Sequence, residues 1–220
     1  MPLHLNQKFW NDPKKRLARQ ETIIDQYRKR FHQTIPPNKQ YWTMCGQCVD
    51  KDGRFQEGCE LSQMLKDGFI QPAQFHGVEI DSNIAEANRR AFPEANWYTD
   101  DFYRAMQKAK IANMFSPAIV NADFINMPDR ACGYLADIMG FLSSCVDEVM
   151  IVANFVLLHQ RFTRHERDME FVIEKLNKDG SFQLALKTGN WRFDQKYYRY
   201  AGTGRKSRTI MGTVVFYKEH

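Results

Sequence analysis

From Gln40 onward the chain alternates short apolar runs with amphipathic runs of helical period. That pattern builds a parallel sheet flanked by helices and excludes all-helical and all-strand folds. QYWTMC (40–45), QFHGVEI (74–80), ANWYTD (95–100), PAIVNA (117–122) and DEVMIVANFVLL (147–158) have strand character. Between them lie helical patterns: CELSQMLKDGF (59–69), SNIAEANRRAF (82–92), DFYRAMQKAK (101–110) and DRACGYLADIMGFLSSC (129–145). A further helix, RHERDMEFVIEKLNKDG (164–180), closes on a glycine. Stretch 147–158 is nearly unbroken in its apolarity, as expected of a strand buried on both faces. SFQLALK (181–187) and TIMGTVVFYK (209–218) are predicted as the last two strands, paired antiparallel because no helical pattern separates them. The predicted fold is α/β: a doubly wound, mostly parallel, seven-stranded sheet with a final antiparallel strand.

Residues 1–38 stand apart from this alternation. Asp12-Pro13 has the form of a helix cap followed by a first-turn proline, and Pro36-Pro37 ends the pattern. Leu17, Ile24, Tyr27 and Phe31 fall near one helical face, which the basic residues largely avoid. The expected organisation is a basic helical arm over 1–38 packed on a main domain over 39–220. No apolar run approaches the ~20 residues of a membrane helix, and the N-terminus lacks the apolar core of a secretory signal. Five cysteines, an odd number, point to reduced thiols and a cytoplasmic setting.

A doubly wound sheet binds ligands beyond the carboxyl ends of its strands, so the chemistry is expected there. Glu79 ends the second strand, where an acid accepts hydrogen bonds from ribose hydroxyls; Asp81 better suits a surface acid near the helix start, and Ser82 is the expected cap of that helix. Asp101-Phe102 follows the third strand, either as an acid and ring for a purine or as a cap with a hydrophobic contact. Asn121-Ala122-Asp123-Phe124 follows the fourth.

Taken together, GVEID, DDF and NADF resemble the class I S-adenosylmethionine-dependent methyltransferases. They are most similar to the branch that methylates exocyclic amines of nucleic-acid bases, of adenine N6 type. The resemblance spans roughly residues 40–217 and implies a Rossmann-like fold with S-adenosyl-L-methionine as cofactor. It places Glu79 on the ribose and Asp101 with Phe102 at the adenine. It aligns Asn121 and Phe124 with the amide and the aromatic of the family's Asn/Asp-Pro-Pro-Tyr/Phe tetrad. Ala122 and Asp123 replace both prolines, which makes the tetrad degenerate and gives Asp123 three readings: a hydrogen-bond partner for an amine, a base, or a helix cap. The glycine-rich loop of the family is also altered. Gly46 stands alone after the first strand, and Cys45, Gly46 and Gln47 are expected to line the methionine end of the cofactor, with the region around Gly53 forming an inserted turn. The compact, altered motifs suit a phage- or plasmid-borne DNA-methylating enzyme.

Cys45, Cys48 and Cys59 invite a metal or redox reading, but zinc needs four ligands and no second CxxC exists; small residues in a tight loop are the expected role. Cys132 and Cys145 are expected in one helix, in the core. The formal charge of +5 is unevenly spread. One basic cluster lies in the arm. A second spans Lys196, Arg199, Arg205, Lys206 and Arg208, interleaved with Tyr197, Tyr198 and Tyr200. Basic residues hold phosphates and aromatics stack on exposed bases. Arg199, Arg205, Lys206 and Arg208 are therefore expected to bind nucleic acid. Methyl transfer to a nucleic-acid base is the expected function. The alternatives are a non-catalytic protein of the same fold that binds nucleic acid or protein, and a methyltransferase for a small molecule or protein.

Overall fold

The computed structural model describes residues 13–50, 52–124, 128–158, 169–194, 198–201 and 210–219. The chain forms two compact units divided between Ile119 and Val120.

The first unit opens with helix α1 (Pro13–Arg19), a π-helical turn (Gln20–Ile24) and α2 (Asp25–Arg30). The amide of Asp25 donates to the carbonyl of Gln20, a π-helical bond. This extra residue rephases the apolar face: Ala18, Ile23, Ile24 and Tyr27 are buried while Leu17 is exposed. Leu17 therefore does not belong to the packing face expected from a regular helical period. The arm is tied to α3 (Glu60–Lys66) through Gln63, whose Nε2 donates to the carbonyl of Arg16 at 3.0 Å, and through Arg19 against Glu60 at 3.8 Å.

Strands β1 (Gln40–Met44), β2 (Phe75–Glu79) and β3 (Asn96–Thr99) follow the order β3-β2-β1, with the start of β4 (Pro117–Phe124) next to β1. β1–β2 and β2–β3 are parallel. Helices α3, α4 (Ser82–Ala91) and α5 (Phe102–Ile111) make the crossovers. Asp81 caps α4 by accepting from the amides of Asn83 and Ile84, a contribution of about 1 kcal/mol. On one face Trp42, His76 and Tyr98 stack, with Trp42 and His76 ring centroids 4.6 Å apart. On the other, Gly77 sits beneath Trp97, and a Cβ there would come within 2.6 Å of the indole. The glycine of GVEID is thus demanded by packing.

In the second unit β4 is followed by β5 (Val149–Leu158) and β8 (Ile210–Lys218), with α6 (Pro128–Ser143) as the β4–β5 crossover and α7 (Met169–Lys178) after β5. β8 pairs antiparallel with β5 along its length, so β6 (Arg192–Phe193) and β7 (Tyr198–Ala201) share its other edge. β6 pairs with residues 216–217 and β7 with 210–213. They occupy one strand position end to end, and the sheet has seven positions, of which only that of β8 is antiparallel.

SFQLALK is not a strand. It forms α8 (Gly180–Thr188). Asp179 caps it by accepting from the Phe182 amide at 2.8 Å, so Asp179-Gly180 starts a helix where a stop was expected. Phe182 and Ala185 are buried while Leu184 is 63% exposed. Burial therefore follows the helical period, and the alternation Phe182-Leu184-Leu186 was misleading. Cys132 is buried in α6, whereas Cys145 lies beyond that helix and is half-buried. No helix among the described residues is long and apolar enough to cross a membrane.

Candidate functional site

In the first unit three strand ends carry the residues expected at the cofactor. β1 ends at Met44, and the Cys45 amide still donates to the carbonyl of Val78 at 3.0 Å. The chain then turns through Gly46 and Gln47, with Cys45 and Gln47 buried. Asn88, a buried residue of α4, holds this turn: its Nδ2 donates to the Gly46 carbonyl at 3.0 Å, and its Oδ1 accepts from the Cys48 amide at 2.8 Å. Beyond it, Asp50 Oδ1 accepts from the amides of Asp52 and Arg54, and Gly53 takes a left-handed φ of 76°. This is the inserted turn expected around Gly53.

Glu79 is the last residue of β2 and is half-buried. Burial raises its pKa, while hydrogen bonds from the Asp81 and Ile80 amides pull it back. Ile80, beside it, is 77% exposed. An acceptor carboxylate next to an uncovered apolar side chain matches the two needs of a nucleoside, hydroxyl donors and a ring face. Ile80 was missed in the sequence because it reads as the last residue of an apolar strand.

Asp101 and Phe102 open α5. Asp101 is the N-cap of α5 and accepts from the Arg104 amide at 3.1 Å. Phe102 is the first helical residue and is buried, 4% exposed. The geometry is that of the cap with a hydrophobic contact.

In the second unit the quartet Asn121–Phe124 belongs to β4 itself rather than to a loop after it. The physical reason is that neither Ala122 nor Asp123 is a proline. Proline lacks an amide donor and interrupts strand pairing; Ala122 and Asp123 allow the strand to continue. Side chains then alternate, so Asn121 and Asp123 share one face and Ala122 and Phe124 the other. Asn121 is buried and Asp123 exposed. A polar row crosses the sheet on the first face: Thr213 Oγ1 donates to Asn154 Oδ1 at 2.6 Å, and Asn154 Nδ2 donates to Asn121 Oδ1 at 2.8 Å. Asn154 was hidden inside the apolar run of β5, though a lone amide in such a run is itself a signal. Phe124 is buried, stacked on Phe155 at 5.4 Å and edge-on to Tyr134. It is a core ring here and does not share the face of Asn121 and Asp123.

The backbone of Arg199 lies in β7, opposite Gly212. Arg205, Lys206 and Arg208 lie outside the described residues.

The chain matches no protein-family model and no curated protein. Solved structures share its fold. M. jannaschii TYW2, solved in complex with AdoMet, has a TM-score of 0.51 at 10% identity, over 99% of this chain and 79% of that one. The plantazolicin methyltransferase BamL, solved with a triazolic desmethylPZN analog and SAH, has a TM-score of 0.50 at 12% identity, over 94% of this chain and 86% of that one. At such identities the likeness is one of fold, the class I methyltransferase fold.

Proposed function

We propose that this chain transfers a methyl group from S-adenosyl-L-methionine to a nucleic-acid acceptor, a base amine. The observation that carries the cofactor assignment is the pairing of Glu79 with exposed Ile80 at the carboxyl end of β2. It stands on a fold shared with a protein solved with AdoMet bound. Glu79 would accept from the ribose hydroxyls and Ile80 would cover the adenine. Cys45, Gly46 and Gln47 would face the methionine end, held in place by Asn88. Asp101, already bonded as a helix cap, would contribute at most its remaining acceptor capacity at the adenine.

The cofactor, when bound, supplies a methyl group already activated on a sulfonium. What remains for the protein is alignment and the fate of the acceptor's proton. Asn154 fixes which way the Asn121 amide points, because Asn154 donates to its oxygen. Asn121 would thereby orient an acceptor, and Asp123, exposed on the same strand face, would polarise an amine or take its proton. The late basic segment, Arg199 to Arg208, supports a polyanionic acceptor, since Arg and Lys neutralise phosphates.

The burial of Phe124 favours a second reading, a methyltransferase for a small molecule or protein, because a ring committed to Phe155 does not hold a flipped base. Incubation with methyl-labelled S-adenosyl-L-methionine and, in parallel, duplex DNA, single-stranded DNA and RNA distinguishes the two. Label in any nucleic acid supports the first reading. Cofactor binding without label in any of the three leaves the second.

A further inference from the structure

Three thiols meet at the carboxyl end of β1. The sulfurs of Cys45 and Cys48 are 3.4 Å apart, and Cys59, the N-cap of α3, is the third thiol of this cluster. All three are free and buried. Methyl transfer as proposed uses none of these sulfurs. Among the described residues no group of three or more His, Cys, Asp or Glu is placed to hold a metal ion. A dithiol oxidoreductase is also a poor fit: such enzymes depress a thiol pKa at a helix N-terminus, whereas Cys45 and Cys48 follow a strand. The Cys48 thiol is pushed well up, first by its bond to Cys45 and then by burial. That same bond pulls Cys45 down, and burial leaves it raised overall.

We infer that Cys45 and Cys48 are a reversible disulfide pair that sets the conformation of the Gly46–Gln47 turn. The pair brackets that turn. One end is pinned to β2 through the Cys45 amide, and the other to α4 through the Cys48 amide and Asn88. Closing the bridge brings the sulfurs from 3.4 Å to about 2.05 Å. With Cys45 fixed in the ladder, the movement falls on Cys48, whose amide is held by Asn88 and whose carbonyl accepts from the Gln56 amide at 2.8 Å.

The oxidant is a small-molecule disulfide such as oxidised glutathione. Cys45 attacks it as the thiolate once the turn opens locally. The small-molecule S–S bond breaks and one thiol leaves with a proton. Cys48, as thiolate, then attacks Cys45 Sγ and releases the second thiol. Two protein thiols are oxidised and one disulfide is reduced to two thiols. Excess reduced thiol reverses the exchange.

An effect on the cofactor rests on the reading in the previous subsection, so bridge and cofactor are measured separately. The full chain is equilibrated across ratios of reduced to oxidised glutathione, alkylated, digested and analysed by mass. The expected result is a Cys45–Cys48 peptide lighter by two hydrogens and resistant to alkylation, restored by dithiothreitol, with Cys132 alkylated after denaturation. All five thiols of the chain alkylated at every ratio, or a Cys48–Cys59 bridge instead, overturns the inference. Calorimetric titration with S-adenosylhomocysteine should show about tenfold weaker binding after oxidation, the equivalent of one lost hydrogen bond. Cys48→Ala, or Cys48→Ser if the alanine variant does not fold, should bind equally before and after oxidant. Equal affinity of the bridged and reduced parent overturns the coupling to the turn. A bridge that forms in a chain with no cofactor affinity in either state upholds the disulfide and defeats the methyltransferase reading.

Discussion

Asn88 joins fold to site, and its removal has a magnitude that follows from the contacts. The side chain is fully buried and makes two hydrogen bonds to the turn, 2.8 Å from the Cys48 amide and 3.0 Å to the Gly46 carbonyl. Asn88→Ala removes both. A buried backbone group left unpaired costs ~1–3 kcal/mol. Cys48 is 1% exposed and has no access to water, so its amide pays the middle of that range, ~2 kcal/mol. Gly46 is half-buried and its carbonyl can be rehydrated, so it adds only the net ~0.5–1.5 kcal/mol of an ordinary hydrogen bond. The expected loss is about 3 kcal/mol, or roughly 6–12 °C in Tm for a chain of this size. Urea unfolding followed by circular dichroism measures it, with an unchanged m-value showing that the unfolded state is the same. Asn83→Ala, on the exposed side of the same helix, controls for the change in helix propensity. A loss in Asn88→Ala within ~0.5 kcal/mol of that control refutes the claim that the side chain holds the turn.

The His76 pKa is lowered by burial from 6.5 to about 4. Between those values the unfolded chain takes up a proton that the folded chain refuses, so stability falls as pH drops through this window, by up to about 3 kcal/mol, and levels off below it. Urea titrations at neutral and acid pH on the parent and His76→Phe, which keeps a ring against Trp42, should show that excess loss in the parent alone. Asp123→Asn should lower turnover by about 10²–10⁴ with cofactor affinity unchanged if Asp123 handles the acceptor's proton; single-turnover rates that survive it but collapse in Asn121→Ala assign the role to the amide. Replacing Arg205, Lys206 and Arg208 with Ala should weaken oligonucleotide binding and flatten its salt dependence at constant cofactor affinity; an unchanged slope refutes phosphate contact by these three residues.

The legible parts of the fold were those where periodicity and punctuation agreed. Gly68 stops α3 with φ at 60°, and α4 starts where its pattern starts, although its cap is Asp81 and not the expected Ser82, which is the first helical residue. Where they disagreed, tertiary packing decided. SFQLALK alternates like a strand, yet Asp179 supplies a cap and the burial of Phe182 and Ala185 selects the helix. The π-helical turn at Gln20–Ile24 leaves no mark in the sequence, and it moved the buried face off Leu17. For the candidate site, the strand-end position of Glu79 was legible from order alone. The faces of Asn121, Asp123 and Phe124 were not, because they depend on whether β4 ends before the quartet or runs through it. Ile80 and Asn88 were missed because their contributions are exposure and a bond from helix to turn, which no local pattern encodes, and Asn154 because its one signal, an amide in an apolar run, does not name its cross-strand partners.

The cofactor site is tested most directly by calorimetric titration of S-adenosyl-L-methionine into the folded parent and Glu79→Ala. Glu79 ends β2 half-buried beside exposed Ile80, and its loss should weaken binding by roughly 1.5–3 kcal/mol, the worth of hydrogen bonds to a charged acceptor. Equal affinities in two folded proteins, or no binding by the parent, would contradict the account.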